Sequence, residues 1–147
     1  MRTRIQHALD FALAKEREAE SFYKTWAETV TDSGVKELLI GLGAAERGHI
    51  EMLLHLTPED LITRADEPIE DLGLVQYLVD VQADPEMTLQ EAMILAMKRE
   101  EVSIALYERL SEFSGEASAL FRGLAAEERR HKLRLETEYD EEVLREN

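Results

Sequence analysis

Four stretches of this chain repeat apolar residues at alternating steps of three and four, and near the middle of each the apolar run is broken by a glutamate. The first runs Ile5, Leu9, Ala12, Glu16, Ala19, Tyr23, Trp26, Val30 and the second Val35, Leu39, Leu42, Glu46, His49, Leu53, Leu56. The third reads Leu89, Met93, Ala96, Glu100, Ser103, Tyr107, Leu110 and the fourth Ala117, Phe121, Leu124, Glu128, His131, Leu135. This spacing lines up side chains on one face of a helix packed against partner helices. A carboxylate buried without a partner costs several kcal/mol. Four of them gathered in one core must therefore neutralise, unfold the bundle or bind cations, and two divalent ions carry the matching charge. The pattern predicts an all-α fold with a polar layer inside it.

Composition narrows the partners. The sequence has 147 residues, one domain's worth, with 32 acidic and 17 basic side chains and a net charge of -15. Such a surface repels nucleic acid and anionic membranes, so neither is expected as a partner. Cysteine is absent, which excludes disulfides, iron–sulfur clusters and thiolate metal sites, and suits a reducing compartment. No run approaches the length of a membrane span, and the first residues lack the apolar stretch of a signal peptide. A soluble, cytoplasmic protein is expected.

The chain reads as a single domain over 1–147 made of two helical hairpins. Thr31, Asp32, Ser33 and Gly34 separate the first pair, and Ser114 and Gly115 the second; connections this short join antiparallel neighbours. Between the pairs, residues 57–87 hold all three prolines, Pro58, Pro68 and Pro85, a length that suits a crossover travelling the bundle, with a short helix at 72–81. Thr88 and Glu91 form a T-x-x-E capping box that opens the third helix. The hairpins look duplicated. Glu16 precedes Tyr23 by seven residues as Glu100 precedes Tyr107, and Gly41, Leu42, Ala44, Glu46, His49 match Gly123, Leu124, Ala126, Glu128, His131. The offset is 84 residues from Glu16 to Glu100 and 82 from Glu46 to Glu128.

Counting outward from the turns places all four glutamates at one level of such a bundle, and each histidine lies one turn beyond its glutamate on the same face. One Glu from each of two helices plus Glu-x-x-His from each of the other two is the ligand pattern of dimetal carboxylate bundles. Glu16, Glu46, His49, Glu100, Glu128 and His131 are therefore the expected metal ligands. Glu46 and Glu128 would bridge two ions, Glu16 and Glu100 would be terminal, and each histidine would complete one ion. Oxygen and imidazole donors suit iron or manganese, with zinc able to enter the same site. Tyr23 and Tyr107 fit either as core aromatics or as hydroxyls that orient ligand carboxylates. Glu20, Glu101 and Glu127 sit beside the seams as surface charges, and His7 and His55 have no partner at metal spacing.

The stretches AKEREAESFYKTWAE, GLGAAERGHIEML, TLQEAMILAMKREEVSIALYERL and FRGLAAEERRHKLRLE together resemble the rubrerythrin family of the ferritin-like superfamily. The resemblance implies a ferritin-like four-helix bundle, commonly dimeric, with a diiron site held by the six residues above, associated with reducing peroxide or oxidising ferrous iron. Rubrerythrins with a rubredoxin domain take electrons from its cysteine-bound iron; a chain without cysteine would need a separate electron-donor protein. They also carry a glutamate three residues after the third-helix ligand that exchanges with a histidine as iron changes oxidation state, and here that position is Ser103. The expected activity is that of a diiron oxidoreductase acting on peroxide or dioxygen, with a ferroxidase in iron handling or a structural metal-binding bundle as the alternatives.

Overall fold

A computed structural model describes residues 4–57, 86–113 and 115–146. It contains α1 (Arg4–Thr29), α2 (Ser33–Leu54), α3 (Leu89–Phe113) and α4 (Ser118–Glu146), with a 3-10 turn at Gly115–Ala117. Residues 58–85, with most of the expected crossover and its helix at 72–81, lie outside the described residues.

Local chemistry sets the helix ends. Asp32 caps α2, its side chain accepting from the Val35 N–H at 3.0 Å, which satisfies one of the orphan donors of the first turn. Ser33 and Gly34, expected in the turn, therefore belong to α2, and the α1–α2 connection is shorter than the sequence implied. At α3 the capping box forms in both directions. The Glu91 N–H donates to Thr88 Oγ1 at 3.1 Å and the Thr88 N–H donates to Glu91 Oε1 at 3.2 Å. Between α3 and α4, Gly115 has φ 57°, a left-handed conformation that costs glycine nothing. The Ser118 hydroxyl donates to the Ser111 carbonyl across this corner.

The apolar seams make two clusters. One joins Ala8, Leu9 and Ala12 of α1, Ile50 and Leu53 of α2, Leu106, Tyr107 and Leu110 of α3, and Phe121 and Leu124 of α4. The other joins Phe22, Tyr23 and Ala27, Val35, Leu38 and Leu42, Ala92, Leu95 and Ala96, and Leu135. Each cluster thus gathers the start of some helices and the end of others. α1 and α4 run one way, α2 and α3 the other, and the hairpin partners α1/α2 and α3/α4 pack most closely. α2 therefore ends in one cluster and α3 begins in the other, at opposite ends of the bundle. The fold is a ferritin-like four-helix bundle. The glutamates and histidines occupy the layer between the two apolar plugs.

Candidate metal centre

All six sequence-predicted ligands meet in that layer and are shut off from water. Glu16, Glu46, His49 and Glu128 are each 1% exposed, Glu100 is 3% and His131 is 8%. They divide into two groups whose donor atoms lie within 4.8 Å of one another: Glu16, Glu46, His49 and Glu128, and then Glu46, Glu100, Glu128 and His131. Glu46 and Glu128 belong to both, one from each E-x-x-H.

The atoms show how the sharing works. Glu46 turns Oε2 toward His49 Nδ1 at 3.6 Å and Oε1 toward His131 Nδ1 at 3.4 Å. Glu128 does the converse, with Oε1 at 2.8 Å from His49 Nδ1 and Oε2 at 3.6 Å from His131 Nδ1. Glu16 Oε2 is 3.5 Å from His49 Nδ1, and Glu100 Oε1 is 3.9 Å from His131 Nδ1. Each shared carboxylate therefore presents one oxygen to each group. Despite this crowding, Glu16 Oε2, Glu46 Oε1, His49 Nδ1, Glu100 Oε2, Glu128 Oε1 and His131 Nδ1 are all buried without a hydrogen-bond partner. Buried polar atoms are ordinarily paired. One orphan on each of six converging side chains is the signature of a site shaped for cations, and carboxylates with imidazoles suit iron or manganese.

Two tyrosines tie the site across the hairpins. The Tyr23 hydroxyl of α1 donates to Glu100 Oε1 of α3 at 2.6 Å, and the Tyr107 hydroxyl of α3 donates to Glu16 Oε1 of α1 at 2.5 Å. Burial, followed by the neighbouring Glu100 or Glu16, holds both phenols well above their ordinary pKa. They remain protonated donors, and each orients the terminal carboxylate of the opposite hairpin. The crossed pair makes the approximate twofold visible.

Burial and crowding shift how these groups hold protons. Burial, with Glu46 adding to it and His49 offsetting part, pushes the Glu16 carboxyl up to about 8. Burial and then Glu128 raise Glu100 well above the usual carboxylate range. Burial acts to lower both imidazoles, but the surrounding carboxylates outweigh it, lifting His131 to about 9 and His49 higher still. Glu128 is the exception: burial would raise it, yet Glu100, His131 and His49 together bring it below its ordinary value.

One contributor escaped the sequence reading. Glu127, taken as a surface charge, pairs with the Nε2 of His49, the ring nitrogen that faces away from the site. Its only sequence signal was adjacency to Glu128. Glu101 is a surface charge as expected, 3.2 Å from Lys132, whereas Glu20 is partly buried, 4.0 Å from Arg47. His55 serves the end of α2, its Nδ1 lying 2.6 Å from the Glu51 carbonyl, and His7 is exposed.

Comparison with curated proteins and with solved structures returned no match. The family model described as Rubrerythrin matches residues 7–139, a span that includes both hairpins and all six converging side chains. A match over that length agrees with the duplicated E-x6-Y and E-x-x-H motifs and with the layer they build, and the chain belongs to the rubrerythrin family.

Proposed function

We propose that the protein is a diiron oxidoreductase that reduces hydrogen peroxide, with Glu16, Glu46, His49, Glu100, Glu128 and His131 as its ligands. The observation that carries this reading is the set of six buried, unpaired donor atoms, in which Glu46 and Glu128 each offer one oxygen to either side. Glu46 and Glu128 would be shared by two ions, with Glu16 and His49 on one side and Glu100 and His131 on the other. Two ferrous ions bound there would supply the two electrons that, with two protons, convert one peroxide to two waters.

The chain's own residues do the rest. Glu46 and Glu128 hold the two positions adjacent, while Tyr23 and Tyr107 fix the terminal carboxylates by hydrogen bonds. Leu42, Leu124 and Met93, all buried, line the neighbouring core and exclude bulk water. A cavity of about 20 Å³ reaches the carboxylates of Glu46, Glu100 and Glu128 between Lys15, Arg99 and Ser103. That is room for one water-sized molecule, the scale of a small oxidant. Ser103 stands where the family resemblance places an exchanging glutamate, and its small side chain lines this space. The 147 residues contain no cysteine, and the electrons that restore the ferrous state come from outside them.

Stopped-flow absorbance after anaerobic iron loading tests the proposal. Oxidation by hydrogen peroxide faster than by dioxygen is expected. Clearly faster oxidation by dioxygen would move the reading to a ferroxidase, and inertness to both would leave a structural metal site.

A further inference from the structure

The twofold that duplicates the six ligands fails at one position beside them. Glu127 of α4 pairs with His49 Nε2 of α2, and its other oxygen lies 4.0 Å from Arg130. The offset of 82 residues that relates Glu128 to Glu46 relates Glu127 to Ala45. By the pseudo-twofold that the crossed tyrosines display, residue 45 of α2 is the counterpart of Glu127, on the side of His131. Alanine has nothing to offer there, and among the described residues no carboxylate pairs with His131 Nε2. The two residues also differ in exposure, His49 being 1% and His131 8% exposed.

A carboxylate on the outer nitrogen of a ligating imidazole fixes its tautomer and orientation and makes the inner nitrogen a stronger donor. Losing such a partner typically costs about 10- to 100-fold in metal affinity. From the presence of Glu127 on one side and Ala45 on the other, we infer that the two metal positions are unequal. The one served by His49 binds more tightly and fills first, with Glu127 as its positioning residue, and the one served by His131 is the exchangeable position. This inference rests on the two-metal reading proposed above.

Anaerobic titration of the full chain with Co(II), followed by absorbance and calorimetry, tests it. The parent protein should bind two ions in two resolved steps. Glu127→Ala should weaken the tighter step about 10- to 100-fold and leave the weaker one in place, while Glu127→Gln, which keeps a hydrogen-bond acceptor, should recover part of the loss. Ala45→Glu should tighten the weaker step, a gain that damage to the fold cannot produce. Two ions bound in a single unresolved step, Glu127→Ala weakening both steps equally, or no change in either variant would overturn the inference while sparing the two-metal reading. Fewer than two ions per chain would overturn both.

Discussion

Raising the pH should destabilise the metal-free protein while leaving the loaded one untouched. Glu16 moves from an ordinary 4.5 to about 8 and His131 from 6.5 to about 9. Both are raised, so the native state holds protons that the unfolded chain has released. Their stabilisation is complete below the unfolded values and is lost as pH climbs, through 4.5 to about 8 for Glu16 and 6.5 to about 9 for His131. Each such proton gives a slope of about 1.4 kcal/mol per pH unit. Between pH 7 and 8 Glu16 falls from about nine-tenths to half protonated and His131 stays nearly full, so the two together cost about 2 kcal/mol. For a chain of this size that is a drop in Tm of about 4 to 8 °C. Glu100 and His49, raised further, add in the same direction. Bound metal requires the deprotonated ligands, so the loaded protein should show no such fall. Thermal unfolding with and without chelator at pH 7 and pH 8 measures the difference. A metal-free Tm that is flat or rises over this interval would refute the reasoning, because it would mean that these groups titrate as if in water.

Three further outcomes follow from the same geometry. Loading two divalent ions at pH 7 should release about four protons, from Glu16, Glu100, His49 and His131, an exchange that leaves the site's charge unchanged; calorimetry in buffers of different ionisation enthalpy counts them. Glu46→Ala should reduce binding of both ions, whereas Glu16→Ala should affect one, as metal analysis of the dialysed proteins would show. Tyr107→Phe removes the 2.5 Å hydrogen bond to Glu16 and should cost the loaded protein about 1.5 to 3 kcal/mol in urea unfolding; a loss near zero would mean that Glu16 needs no hydroxyl to hold it.

By itself the sequence determined the four helices, the inward seams and the six side chains that converge between them, because periodicity and spacing are local properties of a helix. Glu16, Glu46, Glu100 and Glu128 had to share a level once the turns were counted, and E-x-x-H had to put its two donors on one face. Tertiary structure decided what crosses between helices. Tyr23 and Tyr107 were equally plausible as plain core aromatics; their side chains lean back toward the helix start and reach the glutamate of the other hairpin, not their own. Glu127 was misread because one residue is about a 100° turn of the helix, which moved it off the seam in a one-dimensional count. Only the packing of α4 against α2 brings it to His49. The pairing of Glu127 with His49 is thus a contact between helices that no spacing within one helix encodes.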